Sequence, residues 1–580
     1  MTATAVTLPH AWAALSAGPG GDIVTLDALT LAPALAPALG ALVVLLLDAL
    51  LPRLRALHLG AAILALLVGA VGAAWPLATS PIRESVASLC QAGTGADGHC
   101  LWVASPSGQI LQVVALLSSV IVLLLLAHDL TARPAGETGP PNAGHRTRRI
   151  RPSELAGRDT PAKAVAATTQ DAPLPPVATR LGGGPALVSA LVLAATAGAT
   201  AVIAAQDLGS WLVTLELATL PTVALVALTG TRRSGDGALA LLTTSIVSFA
   251  LLAVGAALWL VATGSPTFAP DAATIAWADP QTRAVLVLAA VLMVAGVGFK
   301  LSLVPFHAWT PQAYTAGHDA VAALLATTSK VAALGALLGI LSPLAGVAGL
   351  GSSARPLTLA LAVLAALTMS VGNLLALRQD DPVRLLAWST VAQAGWVLAP
   401  AAVLTTAGLD AAAGYLAIYV AATAAAFTVV SALHGPVRGG AAGGASGAGG
   451  AGLPRTLAAS RGLLRRSPLL GAVLGLALVS LAGLPPGIAG LLAKVVALRP
   501  LVDEGIWWLA LVAVGNAIVG IAVYARWFAG LLADDPEPPD ATHDVAPRAL
   551  PRATLAAVLL AAALLALITL DPALLLAGLT

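Results

Sequence analysis

Four charged side chains lie inside long apolar stretches of this 580-residue sequence. They are Glu216, Lys300, Lys330 and Lys494. A charged group at the centre of a bilayer is costly, so such residues usually face the interior of a helix bundle and mark an ion or proton route. A lysine beside a carboxylate can lose and regain a proton when the contact between them changes. The four residues therefore predict proton transfer within a membrane.

Each of these charges also has a purely structural interpretation. A lysine can extend its charged end to the membrane surface while its stem stays among apolar residues. This alternative is weaker for Lys300, the sole charged residue of AVLVLAAVLMVAGVGFKLSLVPFHAW, and for Lys330, which lies more than ten residues from any other charge. It is stronger for Lys494, because Arg499 follows it closely. Glu216 and a lysine could also form an ion pair with no role in proton transfer.

Prolines interrupt two of the lysine-containing stretches. Pro305 follows Lys300, and a Pro-Pro pair divides the stretch 468–498 that contains Lys494. Proline removes a backbone hydrogen bond and breaks a helix. Corresponding broken helices in two halves of a chain are typical of internally repeated transporters with ion sites near the membrane midplane. The sequence therefore predicts two repeats, each with one broken helix.

One histidine, His307, lies close to the first of these breaks. Histidine titrates near neutral pH, so His307 could act as a proton relay. A histidine that only binds the backbone freed by Pro305 is the alternative.

The composition is that of a membrane protein. Hydrophobic residues make up 58% of the chain, charged residues 10%, and the mean hydropathy is +0.91. Apolar blocks of about 20 residues recur, the length that a helix needs to cross roughly 30 Å of hydrocarbon. We therefore predict an all-α polytopic membrane protein with about 14 transmembrane helices. They are expected at 31–52, 58–78, 107–128, 185–205, 208–229, 238–262, 284–309, 318–341, 356–377, 385–406, 411–433, 468–498, 505–529 and 551–573.

Polar segments divide these helices into groups. The predicted organisation is three N-terminal helices in 1–128, a linker at 129–183, a first repeat at 184–341, a second repeat at 356–530 and a C-terminal helix in 550–580. The linker is rich in Pro, charge and small residues, so we expect it to be disordered and cytoplasmic. Its basic tract could alternatively bind a lipid headgroup or a partner protein. The Gly-rich loop 435–467 is expected to be a flexible tether.

Lysine and arginine predict the orientation. Most basic loop residues fall on one face of the predicted bundle, whereas the other face has only Arg83, Arg283, Arg355 and Arg499. By the positive-inside rule, the basic face is cytoplasmic and both termini lie outside the cytoplasm.

Cys90 and Cys100 are the only cysteines, and both fall in a loop that this orientation places outside. An oxidising exterior permits a disulfide there, but two unpaired thiols fit the spacing equally well. The sequence lacks the dense Cys or Cys/His clusters of iron–sulfur and zinc sites, and it lacks a Gly-rich nucleotide-binding loop. The chain itself is therefore not expected to bind NADH, flavin, ATP or nucleic acid.

Four segments of the sequence resemble one known family. They are GVGFKLSLVPFHAWTPQAY (296–314), ALLATTSKVAALGAL (323–337), GNLLALRQDDPVRLLAWSTVAQAGW (372–396) and SLAGLPPGIAGLLAKVVAL (480–498). They are similar to subunit N of bacterial proton-pumping NADH:quinone oxidoreductase (respiratory complex I), of the antiporter-like subunit family. Subunits L and M and the multisubunit sodium/proton antiporters share the lysines, but their segment after the first lysine usually differs.

The resemblance implies about fourteen helices with two inverted five-helix repeats, each containing a broken helix, around a central hydrophilic axis. In the family a glutamate and three lysines carry the proton pathway, and they match Glu216, Lys300, Lys330 and Lys494. On this basis Lys300 would load a proton, Lys330 would pass it across the repeat boundary, and Lys494 would release it outside.

The resemblance also implies partners. The chain would be a proton-translocating subunit in a bacterial cell membrane, beside other antiporter-like and small membrane subunits and a peripheral NADH-oxidising arm. FMN and iron–sulfur clusters are expected in those partner subunits, quinone is the electron acceptor of the complex, and this chain is expected to bind no cofactor. The alternatives are a subunit of a multisubunit Na⁺/H⁺ antiporter or membrane-bound hydrogenase, a structural scaffold whose charges only pair, and, least favoured, a self-sufficient permease.

Two stretches depart from the family pattern. AGHDAVAAL has His318 and Asp319 where the family usually has a proline-containing APTPV stretch, and VAQAGW has Gln393 where a histidine is expected. These departures are consistent with a paralogue that serves a variant complex.

Overall fold

The computed structural model describes residues 24–25, 27–79, 85–91, 100–131, 184–348, 354–434, 455–534 and 550–572. Nearly all of the predicted linker, the whole glycine-rich tract 439–452 and the last eight residues lie outside these ranges. The described residues are predominantly helical, which confirms the predicted fold class.

The described helices follow the order of the predicted apolar blocks. They are α1 (Ala28–Leu50), α2 (Arg55–Thr79), α3 (Pro106–Thr131), α4 (Pro185–Ala204), α5 (Leu208–Ala227), α6 (Arg232–Thr263), α7 (Pro270–Ala278), α8 (Pro280–Leu301), α9 (Trp309–Ala316), α10 (Asp319–Ala326), α11 (Thr328–Ala348), α12 (Arg355–Ala376), α13 (Pro382–Ala401), α14 (Thr406–His434), α15 (Leu463–Arg466), α16 (Pro468–Ala482), α17 (Ile488–Asp503), α18 (Trp507–Leu532) and α19 (Arg552–Leu570).

Twelve helical stretches within the described ranges are long and apolar enough to cross a membrane, counting α10 and α11 as one stretch. Helices occupy all of the predicted positions, but length and apolarity do not by themselves mark α13 or the divided pair α16 and α17 as crossings. The short helices α7, α9 and α15 were not predicted from the sequence.

Several predicted helices have different limits in the structure, and two examples are α6 and the predicted helix 318–341. Helix α6 begins at Arg232, not at 238, because Thr231 and Ser234 form a capping box in which each side chain accepts the other's backbone N–H at 3.0 Å. The predicted helix 318–341 is divided at Thr327, which separates α10 from α11. This division brings Lys330 into the first turn of a new helix.

A small antiparallel sheet, absent from the sequence prediction, lies at one end of the bundle. It contains β1 (Val24–Thr25), β2 (Val86–Gln91) and β3 (Cys100–Ala104), in that order. The β2–β3 register places Cys90 opposite Cys100, and the two sulfur atoms form a disulfide. The disulfide thus joins two neighbouring strands that precede α3.

Helix α14 lies at the centre of the bundle. It packs against α3, α10, α13, α16, α17 and α19, and it is the most buried of the twelve candidate membrane spans. The outer helix α6 instead exposes large apolar side chains such as Leu239, Ile246 and Val261. Such exposed apolar residues suit contact with lipid, whereas α14 is positioned to join the elements of both predicted repeats.

Each predicted repeat begins with two helices that approach closely at a glycine. A Cβ atom on Gly198 of α4 would lie 2.3 Å from the backbone nitrogen of Ala218 in α5. A Cβ atom on Gly372 of α12 would lie 2.3 Å from the backbone nitrogen of Ala392 in α13. The helix that carries Glu216 and the helix that carries Gln393 are therefore both held in place by backbone contact.

Candidate functional site

Lys300 lies at the buried end of α8 and pairs with Glu216 of α5. Its Nζ is 3.0 Å from Glu216 Oε1, and it donates to Thr219 Oγ1 at 2.8 Å and to Ser245 Oγ at 3.3 Å. Ser245 of α6 in turn donates to Glu216 Oε2 at 3.3 Å. Lys300 is 6% exposed and Glu216 16% exposed. Three helices therefore supply a compact polar site around one buried ion pair.

The first helix break follows directly after this lysine. Helix α8 ends at Leu301, and Ser302 adopts the left-handed region with φ 70°. Pro305 has no backbone N–H with which to resume a helix, and α9 begins only at Trp309. The end of a helix leaves backbone carbonyls without partners. The carbonyl of Phe299 accepts from the backbone N–H of Ser302 at 3.3 Å and from the Trp309 indole N–H at 2.6 Å.

Lys330 takes the next free carbonyl of the same helix end. Its Nζ donates to the backbone oxygen of Lys300 at 2.8 Å and to Ser302 Oγ at 2.5 Å, and it lies 4.8 Å from the centre of the Trp309 ring. An ammonium over an indole face is attracted by the ring electrons. Lys330 is 1% exposed and forms no ion pair with a carboxylate of the described residues.

Lys494 has similar surroundings at the second break. Helix α16 ends at Ala482, and α17, which carries Lys494, begins five residues after Gly483. Lys494 Nζ reaches back to Ala482 O at 2.5 Å and Leu481 O at 3.2 Å. It lies 5.6 Å from the centre of the Trp396 ring. Two backbone carbonyls and an indole therefore hold this lysine.

The structure groups the three lysines differently from the proline pattern. The sequence pairs Lys300 with Lys494, since each lies in an interrupted stretch. By environment Lys330 and Lys494 are the similar pair, because each binds the terminal carbonyls of a broken helix and faces a tryptophan. Lys300 differs because a carboxylate stabilises its charge.

His307 lies in the broken segment but makes no hydrogen bond to a lysine within the described ranges. It is half-buried, its ring lies 5.4 Å from that of Trp388, and it interacts with the backbone of Pro305. It also lines a cavity of about 470 Å³. Other residues that line this cavity are Arg233, Asp236, Gln312, Thr315 and Arg384. The structure thus places His307 at a polar cleft beside the site.

His318 and Asp319 take part in a polar cluster that the sequence did not predict. Asp319 pairs with Arg455 and accepts from His434 Nδ1 at 2.8 Å. His318 Nε2 lies 3.0 Å from Asp129 Oδ2. The members belong to α3, α10, α14 and the segment before α15. Only His318 and Asp319 were noted in the sequence, because the other members are distant along the chain.

Gln393 takes part in a second unpredicted group, which includes tyrosines. The chain has four tyrosines, and all are buried in this region: Tyr314, Tyr415, Tyr419 and Tyr524. Gln393 accepts from Tyr415 at 2.5 Å and donates to Tyr524 at 3.1 Å. The sequence signal that could have revealed this group is the spacing of Tyr415 and Tyr419, which places two hydroxyl groups on one face of a predominantly apolar helix.

No group of three or more His, Cys, Asp or Glu side chains is placed to hold a metal ion in the parts of the chain that the structure describes. What the site offers chemically is ammonium, carboxylate and hydroxyl groups in contact with one another inside the bundle. Such groups exchange protons.

Residues 205–520 match the family described as NADH:quinone oxidoreductase/Mrp antiporter, TM. NADH-quinone oxidoreductase subunit N of Salinispora tropica is 41% identical over 357 residues, which are 60% of this chain and 65% of that protein. NADH-quinone oxidoreductase subunit N 2 of Streptomyces griseus is 31% identical over 551 residues, which are 93% of this chain and 89% of that protein.

Solved structures share the fold over nearly the whole chain. A chain of respiratory complex I from Thermus thermophilus with bound aureothin aligns with a TM-score of 0.66 and 26% identity, covering 95% of this chain and 99% of that chain. A chain of the Mrp complex from Dietzia sp. DQ12-45-1b aligns with a TM-score of 0.71 and 21% identity, covering 95% of this chain and 97% of that chain. The second similarity is one of fold alone.

Proposed function

This chain belongs to the family of NADH:quinone oxidoreductase and Mrp antiporter transmembrane subunits, and on that premise we propose that it is the proton-translocating membrane subunit of an NADH:quinone oxidoreductase. Electron transfer from NADH to quinone would take place in partner subunits, which would hold FMN and iron–sulfur clusters. This chain would contribute the proton route and no redox centre. Relatives named NADH-quinone oxidoreductase subunit N support this choice over an antiporter subunit.

One observation carries the proposal: Lys300 contacts both other groups, Glu216 through its ammonium and Lys330 through its backbone oxygen. The carboxylate lies 3.0 Å from Lys300 Nζ, and Lys330 Nζ donates to the backbone oxygen of that same lysine at 2.8 Å. Lys330 therefore lies at the helix break that follows Lys300, which makes it the next lysine along the proposed proton route. A neutral donor could cap that carbonyl at a smaller desolvation cost than a second buried ammonium, which favours a proton-carrying role for Lys330.

Movement of Glu216 would control loading and release. Two unit charges 3 Å apart attract by about 5 kcal/mol at an effective dielectric constant of 20. The ammonium form of Lys300 is therefore stabilised when the carboxylate is close and loses that stabilisation when it moves away. In the proposed cycle, the departing proton reaches Lys330, crosses to the second repeat and leaves through Lys494.

The direction of release rests on the predicted orientation. With both termini outside the cytoplasm, the basic loops face the cytoplasm and the route runs from that face to the exterior. We place the chain in a bacterial plasma membrane, with other antiporter-like and small membrane subunits as neighbours.

Lys300→Ala tests the proposal. We expect the variant complex to pump fewer protons per NADH oxidised in sealed membrane vesicles, because the loading site is gone. Arg283→Ala is the matched control, since Arg283 lies in the first turn of the same helix, away from the site. An unchanged ratio of protons to electrons in Lys300→Ala would refute the assignment.

The runner-up function is that of a subunit of a multisubunit Na⁺/H⁺ antiporter, since the family includes such proteins. Gentle extraction of the tagged chain from its own membranes separates the two. Recovery with flavin- and iron–sulfur-containing subunits and NADH:quinone activity supports the oxidoreductase. Recovery with membrane subunits alone and sodium-dependent proton exchange without NADH supports the antiporter.

A further inference from the structure

Lys330 and Lys494 lie at different helix breaks, and buried hydroxyl groups occupy the region between them. On the first side, Lys330 Nζ donates to Ser302 Oγ at 2.5 Å, and Ser302 Oγ lies 2.6 Å from Thr310 Oγ1. Thr310 and Tyr314 are four residues apart in α9, so they share one face of that helix. This row leads away from Lys330 toward α13 and α14.

Thr390 of α13 continues the row. The buried hydroxyl of Tyr314 interacts with Thr390 but lies outside regular hydrogen-bond geometry. Tyr419 of α14 donates to Thr390 Oγ1 at 2.8 Å. The hydroxyl of Thr390 is therefore the meeting point of two tyrosines that come from the two predicted repeats.

A small cavity lies between Tyr419 and the second helix break. It measures about 10 Å³ and is lined by Tyr415, Tyr419, Gln393, Ser480 and Leu481 among others. A space of that size holds about one water molecule, provided that two to four polar groups surround it. Ser480 is 3% exposed, and its Oγ has no hydrogen-bond partner among the described residues. The cavity therefore offers a water the polar partners that it needs.

The far end of the cavity is the carbonyl that binds Lys494. Leu481 lines the cavity, and its backbone oxygen accepts from Lys494 Nζ at 3.2 Å. On the opposite side, Gln393 Oε1 accepts a hydrogen bond from the Tyr415 hydroxyl at 2.5 Å. Tyr415 then presents its oxygen, not its proton, to the cavity. Gln393 is a positioning residue here, because an amide does not readily pass a proton itself.

We propose that protons pass between Lys330 and Lys494 along this row of hydroxyl groups, with Thr390 and Tyr419 as relay residues and one water in the cavity beside Ser480 as the last link. The inference rests on the proposed function and gives it a defined path between the repeats. It also assigns a role to Tyr314 and Tyr419 in the row and to Tyr415 at the cavity.

The transfer is balanced at each step. Before the transfer, Tyr419, which donates to Thr390 in the structure, must turn its O–H toward the cavity, and the Tyr314 hydroxyl, which lies outside regular hydrogen-bond geometry there, must turn into the row. Every hydroxyl oxygen then accepts a proton as the group releases its own proton to the next oxygen, so no bond between heavy atoms forms or breaks. The Lys330 ammonium becomes a neutral amine. The water passes the last proton to the Lys494 amine, which becomes an ammonium, while the Leu481 carbonyl only holds that amine beside the cavity. Rotation of the hydroxyl groups then restores their starting orientation.

Thr390→Val tests the path, with Thr428→Val as its matched control. Both threonines are buried and both donate to a backbone oxygen of their own helix, at 2.9 Å for Thr390 and 2.7 Å for Thr428. Only Thr390 also accepts from a tyrosine. Each substitution thus removes a hydroxyl bond to a backbone oxygen of its own helix, and only Thr390→Val also removes the relay contact.

The measurement is protons translocated per NADH oxidised in sealed vesicles, beside the uncoupled rate of NADH oxidation, which reports assembly. We expect Thr390→Val and Tyr419→Phe to lower the ratio as far as Lys494→Ala does, Thr390→Ser to restore it, and Thr428→Val to keep the wild-type ratio. A wild-type ratio in both Thr390→Val and Tyr419→Phe would overturn the path. If Lys494→Ala itself left the ratio unchanged, the proposed function would fail instead.

Discussion

At the scale of single residues, the contacts of Lys300 show why a buried charge can be kept. Its ammonium has a carboxylate and two hydroxyl groups within hydrogen-bond distance. A buried ion pair gains little over a well-packed apolar pair, but breaking it by removing one partner costs about 3–5 kcal/mol. The pair is therefore weak evidence for stability and stronger evidence for function.

This balance gives a prediction about Glu216→Gln. The single variant leaves an unpaired ammonium among three helices, so we expect a lower apparent melting temperature of the detergent-solubilised complex. Lys300→Met alone leaves an unpaired carboxylate and should do the same. The double variant removes both charges and should recover most of the lost stability, while proton pumping stays impaired in all three. Additive destabilisation in the double variant would show that the two side chains are not coupled.

At the scale of the elements, helix breaks create the sites for lysines. The ends of α8 and α16 leave backbone carbonyls that no helical N–H can reach, and Lys330 and Lys494 occupy them. At the second break this depends on Gly483, whose φ of 76° belongs to the left-handed region. A Cβ atom there would lie 3.0 Å from Lys494 Nζ. The glycine both permits the turn and leaves room for the lysine.

Gly483→Ala should therefore impair pumping as well as stability. An L side chain in the left-handed region costs about 1–2 kcal/mol, and the new methyl group would displace Lys494 from its carbonyls. Gly264→Ala is the matched control, because Gly264 has φ 67° and nothing within 4 Å of its Cβ position. We expect both variants to lose the stability that the left-handed backbone costs, and Gly483→Ala to lose more because its methyl group also displaces the buried Lys494. The proton-to-electron ratio should fall only in Gly483→Ala. Equal proton-to-electron ratios in the two variants would show that Gly483 is not needed to position Lys494.

At the scale of the whole molecule, the central helix α14 connects the two predicted repeats. It contributes Tyr419 to the hydroxyl row and His434 to the cluster around Asp319. The same cluster includes Arg455, from the segment that precedes α15. One carboxylate thus ties the start of α10 to elements of the second repeat.

The sequence predicted the parts of this arrangement that leave a local signal. A lone charge in an apolar block and a proline after it are visible without a structure, so Lys300, Lys330 and Lys494 and both breaks could be placed. The surroundings of Lys330 could not, because the carbonyl that it binds is freed only when α8 ends at Leu301. Long-range pairs such as His434 with Asp319, 115 residues apart, leave no local pattern at all.

The predicted domain limits and orientation depend on loops and linkers, which leave weaker signals in the sequence than the helices do. The three-stranded sheet was missed because its strands are short and flank residues that read as an irregular loop. The linker and the glycine-rich loop were assigned from composition alone, and they fall largely outside the described residues.

Asp319→Asn tests whether the cluster holds the two repeats together. Asp319 is 5% exposed and Arg455 17% exposed, so removing the carboxylate leaves a largely buried guanidinium without its counter-charge. The expected loss is about 3 kcal/mol, at the lower end for a buried pair because Arg455 keeps some contact with solvent. Asp534→Asn is the control, since Asp534 is 84% exposed and pairs with a 69% exposed Arg465.

An exposed pair of that kind contributes between about 0 and 1 kcal/mol, so the control should melt almost as the wild type does. The measurement is the apparent melting temperature of the solubilised complex, with proton pumping recorded on the same membranes. Because Asp319 has no contact with the lysines, the variant should lose stability with little change in the proton-to-electron ratio of the complex that survives. Loss of pumping at unchanged stability would instead make Asp319 part of the proton route.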